Sequence, residues 1–523
     1  MARVVFNQIR VVIFLTLVLS LSLVLESCDS RSPGTRERTL VVQLHSDPVT
    51  LDLAKAEDGV ALKVLALVSA GLIEYEVSGD GYGEAGRAKL ALAQSFKILN
   101  DGRALEFELR QGCQWSDGKP LLASEFVDGF KKAVDPSVAA PLGHFLKPIR
   151  SVSLNAATQA ESVHSQLLRI ELEDRLPSFY KRLGLPTAFP VRQGVANDGT
   201  VTLGRYFIFS RDFAKKEITL HRNDASCLWK TAATETDDKP LELASAPKVI
   251  IFKIVSDESV ALNLFRSGAL DVLTRFSSLD LKSASALGRV VTAPFAATYY
   301  LGFNHKNLLL SQKPVRQLIS RSIDKKQLVT ALMTNEEPAM GWVHPTVGGC
   351  RVGEPKKPTG SWWQPNKMKG VFGLAFDQNN RNQLVAEKLQ FDLKKANLPV
   401  VLEPRDWRSH LSRLKEKTPD LFRMAWLGGY PDALAFLQLF ESGNASNFTG
   451  WSSPAYDQVI RDISEMGEQT AEQRSQRRVL VEKACGILND EKVIEPLFYY
   501  NQIFLLSNRV KNFKVNQFGT MNF

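Results

Sequence analysis

Two short stretches concentrate side chains suited to holding a ligand: Pro404-Arg405-Asp406-Trp407, and Phe422-Arg423-Met424-Ala425-Trp426-Leu427-Gly428-Gly429-Tyr430-Pro431-Asp432. They combine indole faces, guanidinium forks that match a carboxylate, and acids that match a cation. That is the chemistry of recognition. Spacings for bond-making are missing: the sequence has no HExxH pair, no P-loop and no GxSxG elbow. His45, His144, His164, His221, His305, His344 and His410 are scattered and read as surface or core residues, not as metal ligands. No catalytic residue, metal or cofactor is expected. On residue types alone, Trp407 and Trp426 read as core, and Arg423 serves a structural ion pair as readily as a bound anion.

The elements that must position such residues are clearest upstream. Leu105, Phe107 and Leu109 alternate with Glu106, Glu108 and Arg110, the period of a half-buried strand. Trp115-Ser116-Asp117-Gly118-Lys119-Pro120 then breaks the strand, because Gly supplies positive φ, Pro restricts φ and Asp bonds its own backbone. Ser124, followed by Glu125, Phe126, Val127 and Phe130, predicts an N-capped helix with an acid facing the dipole. Residues 39–44 and 249–255 read as strands, 261–266 as helix, and Gly268 as a left-handed cap.

The string from residue 90 to 132, with LA-x-S, D-G, F-x-L-R-x-G, WSDGKP and A-x-EF in order, resembles the signature of the family 5 extracellular solute-binding proteins. These are the oligopeptide, dipeptide and nickel receptors of ABC importers. The likeness continues through Gly204-x-Tyr206, ITLHRN, Ser267-Gly268 before Asp271-Val272, KPVRQLISRSIDKKQLVTALM, Ser453-Pro454-x-Tyr456-Asp457 and the tail VIEPLFYYNQIFLLSNRVKNF. It covers residues 39 to 523 almost throughout. The resemblance implies an α/β chain of periplasmic-binding-protein type II-like fold, with two ligand-closing lobes plus an extra domain. Lobe I would comprise residues 39–75, 190–295 and 496–523, extra domain II residues 76–189, and lobe III residues 296–495.

By the same resemblance, Trp407 and Trp426 line side-chain pockets, and the main chain of Leu427, Gly428 and Gly429 pairs with an extended peptide as an added strand. Arg423 would meet a carboxylate, Glu57 would face a peptide's N-terminal end, and Tyr430, Asp432 and Tyr499 belong to the same cleft. Two positions depart from the peptide receptors. Those proteins place an Asp before the Tyr of this loop to bind the ligand's α-ammonium, and this chain has Gly429. Removing one partner of a buried charge pair typically costs about 3–5 kcal/mol. Either Asp432 or Glu57 substitutes, or nothing binds an ammonium. Ala297 and Leu427 stand where oligopeptide receptors have bridged cysteines, so any disulfide here is a different one.

With 523 residues, 44% hydrophobic and 23% charged, the chain is globular in composition and too long for one core, so two or three domains are expected. Arg3, Arg10, an apolar run over 11–25 and Leu25-Glu26-Ser27-Cys28 predict a signal peptide over 1–27 and lipidation of Cys28, although Glu26 is unusual for a lipobox. The apolar run is short of the roughly 18 residues of a membrane span. Residues 28–38 read as a lipidated tether. Removing 1–27 takes away two Arg and one Glu, lowering the formal charge from +9 to +8. Basic and acidic residues are interspersed, without the basic face that nucleic acid needs. Cys113, Cys227, Cys350 and Cys485 have neither CxxC nor zinc spacing; disulfides are permitted after export, but their pairing cannot be deduced.

The expected protein is a lipid-anchored monomer on the periplasmic side of an envelope membrane. It captures a peptide or peptide-like solute and delivers it to an ABC permease, with no nucleic-acid partner and no enzymatic activity. Two rivals share the fold: a ligand-sensing or envelope-interaction lipoprotein, and a receptor for a non-peptide solute such as a nickel chelate.

Overall fold

The computed structural model describes residues 39–77, 87–154, 166–230, 243, 245–274, 276, 281–350 and 371–523. The leader, Cys28 and the tether lie outside the described residues, as does His164.

Two long strands organise the chain. Arg289–Phe303 spans 15 residues and Ile494–Leu506 spans 13, and they run antiparallel through the middle of an eleven-stranded sheet. Residues 289–294 pair with 501–506, the register shifts between Pro294 and Thr298, and residues 298–302 pair with 494–499. Each strand therefore serves two bodies, one on either side of the irregularity.

On one side lies a first wing: Val272–Leu273, Thr39–Leu44, Val249–Ile254, Glu217–Arg222 and Tyr206–Asp212, in that order across the sheet. Thr39–Leu44 pairs parallel with Val249–Ile254, a topology that requires a long crossover. Helix Gly59–Val68 covers this wing, capped by Asp58, whose carboxylate accepts from the amides of Val60 and Ala61. Val64, Leu65 and Val68 of the helix are fully buried against Val42, Phe252 and Leu220. Gly268 takes φ +75° just after helix Glu258–Arg266, the left-handed cap its sequence predicts.

On the other side lies a second wing: Leu421–Leu427, Phe372–Asp377 and Val400–Arg405. Helix Asn380–Lys395 makes the parallel crossover from Phe372–Asp377 to Val400–Arg405. Helices Pro454–Glu465 and Ala471–Glu491 pack on a core that includes Trp342, Phe436 and Tyr456.

A separate unit holds a four-stranded antiparallel sheet of Ala93–Leu99, Ala104–Leu109, Leu167–Leu172 and Ile149–Leu154. Leu105, Phe107 and Leu109 all face its core, as the alternation predicts. In the following turn, Gly118 has φ +84° and its amide donates to the Trp115 carbonyl at 2.8 Å. The next helix begins at Ala123, so Ser124 lies inside the first turn and does not cap it. Glu125 takes over the capping: its Oε2 accepts from the Leu122 amide at 3.0 Å and from Trp115 Nε1 at 2.9 Å.

This small-sheet unit is fastened to the first wing. A disulfide joins Cys113 to Cys227, Arg205 grips Glu74 with two bonds of 3.0 and 3.1 Å, and Lys132 Nζ lies 3.2 Å from Asp52. The second disulfide, Cys350 to Cys485, lies within the second wing.

Candidate ligand-binding site

Leu421–Leu427 carries the start of the Phe422–Asp432 stretch, and its register fixes where the loop after it emerges. Ala297 pairs with Leu427 and Thr298 with Trp426, on the strand that crosses between the bodies. The Gly428 amide extends the pairing, donating to the Ala296 carbonyl at 2.8 Å. The loop thus leaves the sheet beside the register shift, where both wings and the small-sheet unit converge.

A cavity of about 110 Å³ lies there. Leu62 and Phe518 line it from the first wing, Tyr75, Leu185 and Phe189 from the small-sheet side, and Gly429 from the second wing. Its walls are largely apolar, with one charged corner formed by Glu74, Lys89 and Arg205. Burial alone would raise the Glu74 carboxyl, but Arg205 and Lys89 outweigh it and hold the group down at about 2. That carboxylate is satisfied internally. A wider recess of about 790 Å³, edged by Lys325, Trp342 and Lys492, includes none of the expected ligand residues.

Gly429 has no positive φ, and a Cβ built on it would meet Leu185 at 3.5 Å and Phe145 at 3.9 Å, ordinary contact distances. The backbone does not require glycine there. Gly428 differs, because a Cβ would lie 2.4 Å from the Phe436 ring.

The other expected residues fall into separate surroundings. Tyr430 is buried, edge-on to Phe145 at 5.6 Å, with the Arg182 guanidinium 5.4 Å from its ring centroid. Asp432 is buried beneath the loop, where Lys181 Nζ at 3.0 Å and an Arg477 nitrogen at 2.8 Å flank its carboxylate. Those cations outweigh the burial that would raise its pKa and hold it well below the usual range. Neither Asp432 nor Glu57 lines the cavity, and Glu57 is exposed ahead of the helix whose Leu62 does.

Trp426 is half-buried and donates its Nε1 to the Ala435 carbonyl at 2.7 Å. Arg423 and Trp407 gather elsewhere, around the end of Phe372–Asp377. Arg423 bonds Asp377 at 2.5 Å and the Tyr500 hydroxyl at 3.1 Å, and His410 Nε2 lies 3.0 Å from the Arg423 carbonyl. Trp407 opens helix Trp407–Glu416, 48% exposed, with its ring 6.1 Å from His410. Tyr499 is buried, its hydroxyl accepting from the Gly341 amide and donating to the Gly341 carbonyl, both at 3.0 Å.

Tyr75, Leu185, Phe189, Arg205 and Phe518 are cavity residues that the sequence reading did not single out. Only Arg205 left a signal, standing inside the Gly204-x-Tyr206 motif. Among the described residues no cluster of His, Cys, Asp and Glu is arranged to hold a metal ion, and no helix is long and apolar enough to cross a membrane.

The sequence profile of the bacterial extracellular solute-binding proteins, family 5 (middle), matches residues 87–448. The chain is 23% identical to the oligopeptide-binding protein OppA of Bacillus subtilis (strain 168), over 95% of each chain. It is 26% identical to the probable deoxycholate-binding periplasmic protein YgiS of Escherichia coli (strain K12), over 90% of each. Among solved structures, the Escherichia coli murein tripeptide binding protein MppA superposes with a TM-score of 0.68 at 23% identity, covering 90% of this chain and 94% of that one. The substrate-binding protein CtaP of Listeria monocytogenes gives 0.72 at 19% identity, with coverage of 90% and 94%. The fold is the mixed α/β, type II-like architecture of periplasmic binding proteins.

Proposed function

Since the chain belongs to the family 5 bacterial extracellular solute-binding proteins, we propose that it is the receptor of an ABC importer for peptides or peptide-like solutes. The observation that carries this reading is the cavity at Gly429, closed in by residues from all three bodies beside the loop that leaves the sheet after Leu427. The relatives, an oligopeptide-binding and a murein tripeptide binding protein among them, favour a peptide.

In this reading the first wing is lobe I, the small-sheet unit domain II and the second wing lobe III, with the boundaries the resemblance implies except that Ile73–Tyr75, paired with Ala88–Leu90 and packed on the small-sheet core, goes with domain II. Ligand contacts made only in the closed form shift the open–closed balance, and the permease reads closure. Gly428 and Gly429 offer main chain to an extended ligand, and Trp426 walls the neighbouring space. No bond is made or broken. The leader is cleaved before Cys28, and the lipidated cysteine holds a monomeric body at the outer face of the membrane that houses the permease.

A second reading draws on Gly429 and on the deoxycholate-binding relative: the solute has no free amine and is not a standard peptide. Denaturing the purified mature protein and identifying what it releases by mass spectrometry separates the two. Peptides of mixed sequence support the first reading, and one non-peptide species the second. A cleft that is empty and binds neither class overturns both and points to a sensing or envelope role.

A further inference from the structure

The carboxylate of Asp432 sits directly under the Gly429 loop, yet its cationic partner comes from another body of the protein. Lys181 lies on the turn Phe179–Gly184 of the small-sheet unit, and its Nζ reaches Asp432 at 3.0 Å and the two oxygens of Glu468 at 2.7 and 2.8 Å. Arg477 completes the cluster, 2.8 Å from Asp432 and 3.3 Å from Glu468. Asp432, Glu468 and Arg477 all belong to the second wing; Lys181 crosses to them.

We propose that Lys181 is a closure latch, a tethered ammonium that the protein supplies to its own ligand loop, so that the lobes close without drawing a cation from the solute. This builds on the reading above, in which the two wings close around a ligand at Gly429.

Three observations carry it. With Lys181 the cluster holds two cations and two carboxylates; without it, one cation faces two carboxylates. Its side chain is 11% exposed and that of Asp432 1%, so opening the interface separates charges now shielded from water. Lys181 is also held in place from behind, because its carbonyl accepts the Tyr75 hydroxyl at 2.9 Å. Its unit is fastened to the first wing by the Cys113–Cys227 disulfide and the Arg205–Glu74 pair. Separation of the wings must therefore pull Lys181 away from Asp432. Burial would lower the lysine's pKa, but Asp432 and Glu468 outweigh it and keep the ammonium charged.

Neighbouring contacts follow the same line: Arg175 donates to the Glu465 carbonyl at 2.6 Å, and Arg182 lies over Tyr430. Apparent affinity is the intrinsic affinity scaled by the closed fraction. A latch within the protein therefore strengthens binding of every ligand alike, whether or not it carries an amine.

Small-angle X-ray scattering of the full mature protein, stripped of ligand, tests this on the wild type, Lys181→Met and Lys181→Arg. The expected result is a compact wild type, a shift to larger radius of gyration in Lys181→Met, and a compact Lys181→Arg. Equal radii for wild type and Lys181→Met overturn the latch. If Lys181→Met does not fold, the double variant Lys181→Met/Asp432→Asn, which leaves one cation, Arg477, facing one carboxylate, Glu468, must show the same expansion or the proposal falls. Because the scattering needs no ligand, a failure to find any solute would sink the receptor reading while leaving this answer standing.

Discussion

Arg423 and Asp377 form an ion pair of 2.5 Å between adjacent strands of the second wing, with the guanidinium 4.5 Å from the Tyr299 ring centroid. Both side chains are largely buried, at 12% and 15% exposure. The arginine that the family resemblance offers to a ligand's carboxylate therefore has an internal partner. Asp377→Ala leaves that guanidinium uncompensated and should lower the unfolding free energy by about 3–5 kcal/mol, whereas Asp377→Leu/Arg423→Met, which removes both charges, should cost less. Urea denaturation curves of the two variants check the difference.

Position 429 should accept a side chain. With an ordinary φ and a Cβ contact no closer than 3.5 Å, Gly429→Ala is expected to change stability by less than about 1 kcal/mol. Gly429→Asp should add a hydrogen bond to a ligand ammonium worth about 1.5–3 kcal/mol, a gain of roughly tenfold or more for a free peptide over its acetylated twin. Calorimetry on matched pairs decides. A wild type that already prefers the free amine by that margin would contradict the role given to Gly429.

Stability should fall as the solution is acidified from neutrality. Burial holds His344 neutral down to about 3, and burial with the nearby Arg316 charge holds His305 neutral down to about 4. Unfolded, each titrates near 6.5, so the unfolded chain binds protons that the native one refuses. Each contributes stability that is complete above about 6.5 and lost on the way down, at up to about 1.4 kcal/mol per pH unit. Between about pH 6.5 and 5 Glu74 and Asp432, held well below the usual carboxylate range by their cationic partners, stay ionised, so the histidines contribute to the fall of melting temperature in that window. The slope should flatten in His344→Gln/His305→Gln.

Non-reducing peptide mapping should recover two linked pairs, Cys113 with Cys227 and Cys350 with Cys485. Replacing Cys113 and Cys227 together by Ser releases a link spanning 114 residues and should cost about 2–5 kcal/mol. Any other pairing in the native protein would contradict this structure.

Local elements were legible where periodicity and punctuation agreed. Thr39–Leu44 has the bounds its β-rich run suggests, and Leu105, Phe107 and Leu109 face one core because alternate residues of a strand share a face. Ser124 misled because Glu125, reaching back to the Leu122 amide, starts the helix earlier than a hydroxyl cap would. The surroundings of Asp432 were not legible: Lys181 lies 251 residues away, inside an unremarkable SFYKRLG run. Tyr499 was expected at the cleft, but strand alternation beside Phe498 and Tyr500 does not say which face is covered by the Gly341 segment. Cysteine pairing across 114 and 135 residues likewise has no local signature.

The first wing also dictates an order of assembly. Its opening strand, Thr39–Leu44, lies beside Val272, which pairs with Leu506, and Arg509 donates to the Thr39 carbonyl across 470 residues. A chain delivered amino end first across a membrane presents that strand long before the tail that completes its sheet. Until the last segment arrives, the edge of Val272–Leu273 has open backbone groups, a template for pairing with other chains. Contacts this distant in sequence also close slowly. The final thirty or so residues thus act as a completion signal, and a nascent chain truncated before them should depend on chaperone cover to stay soluble.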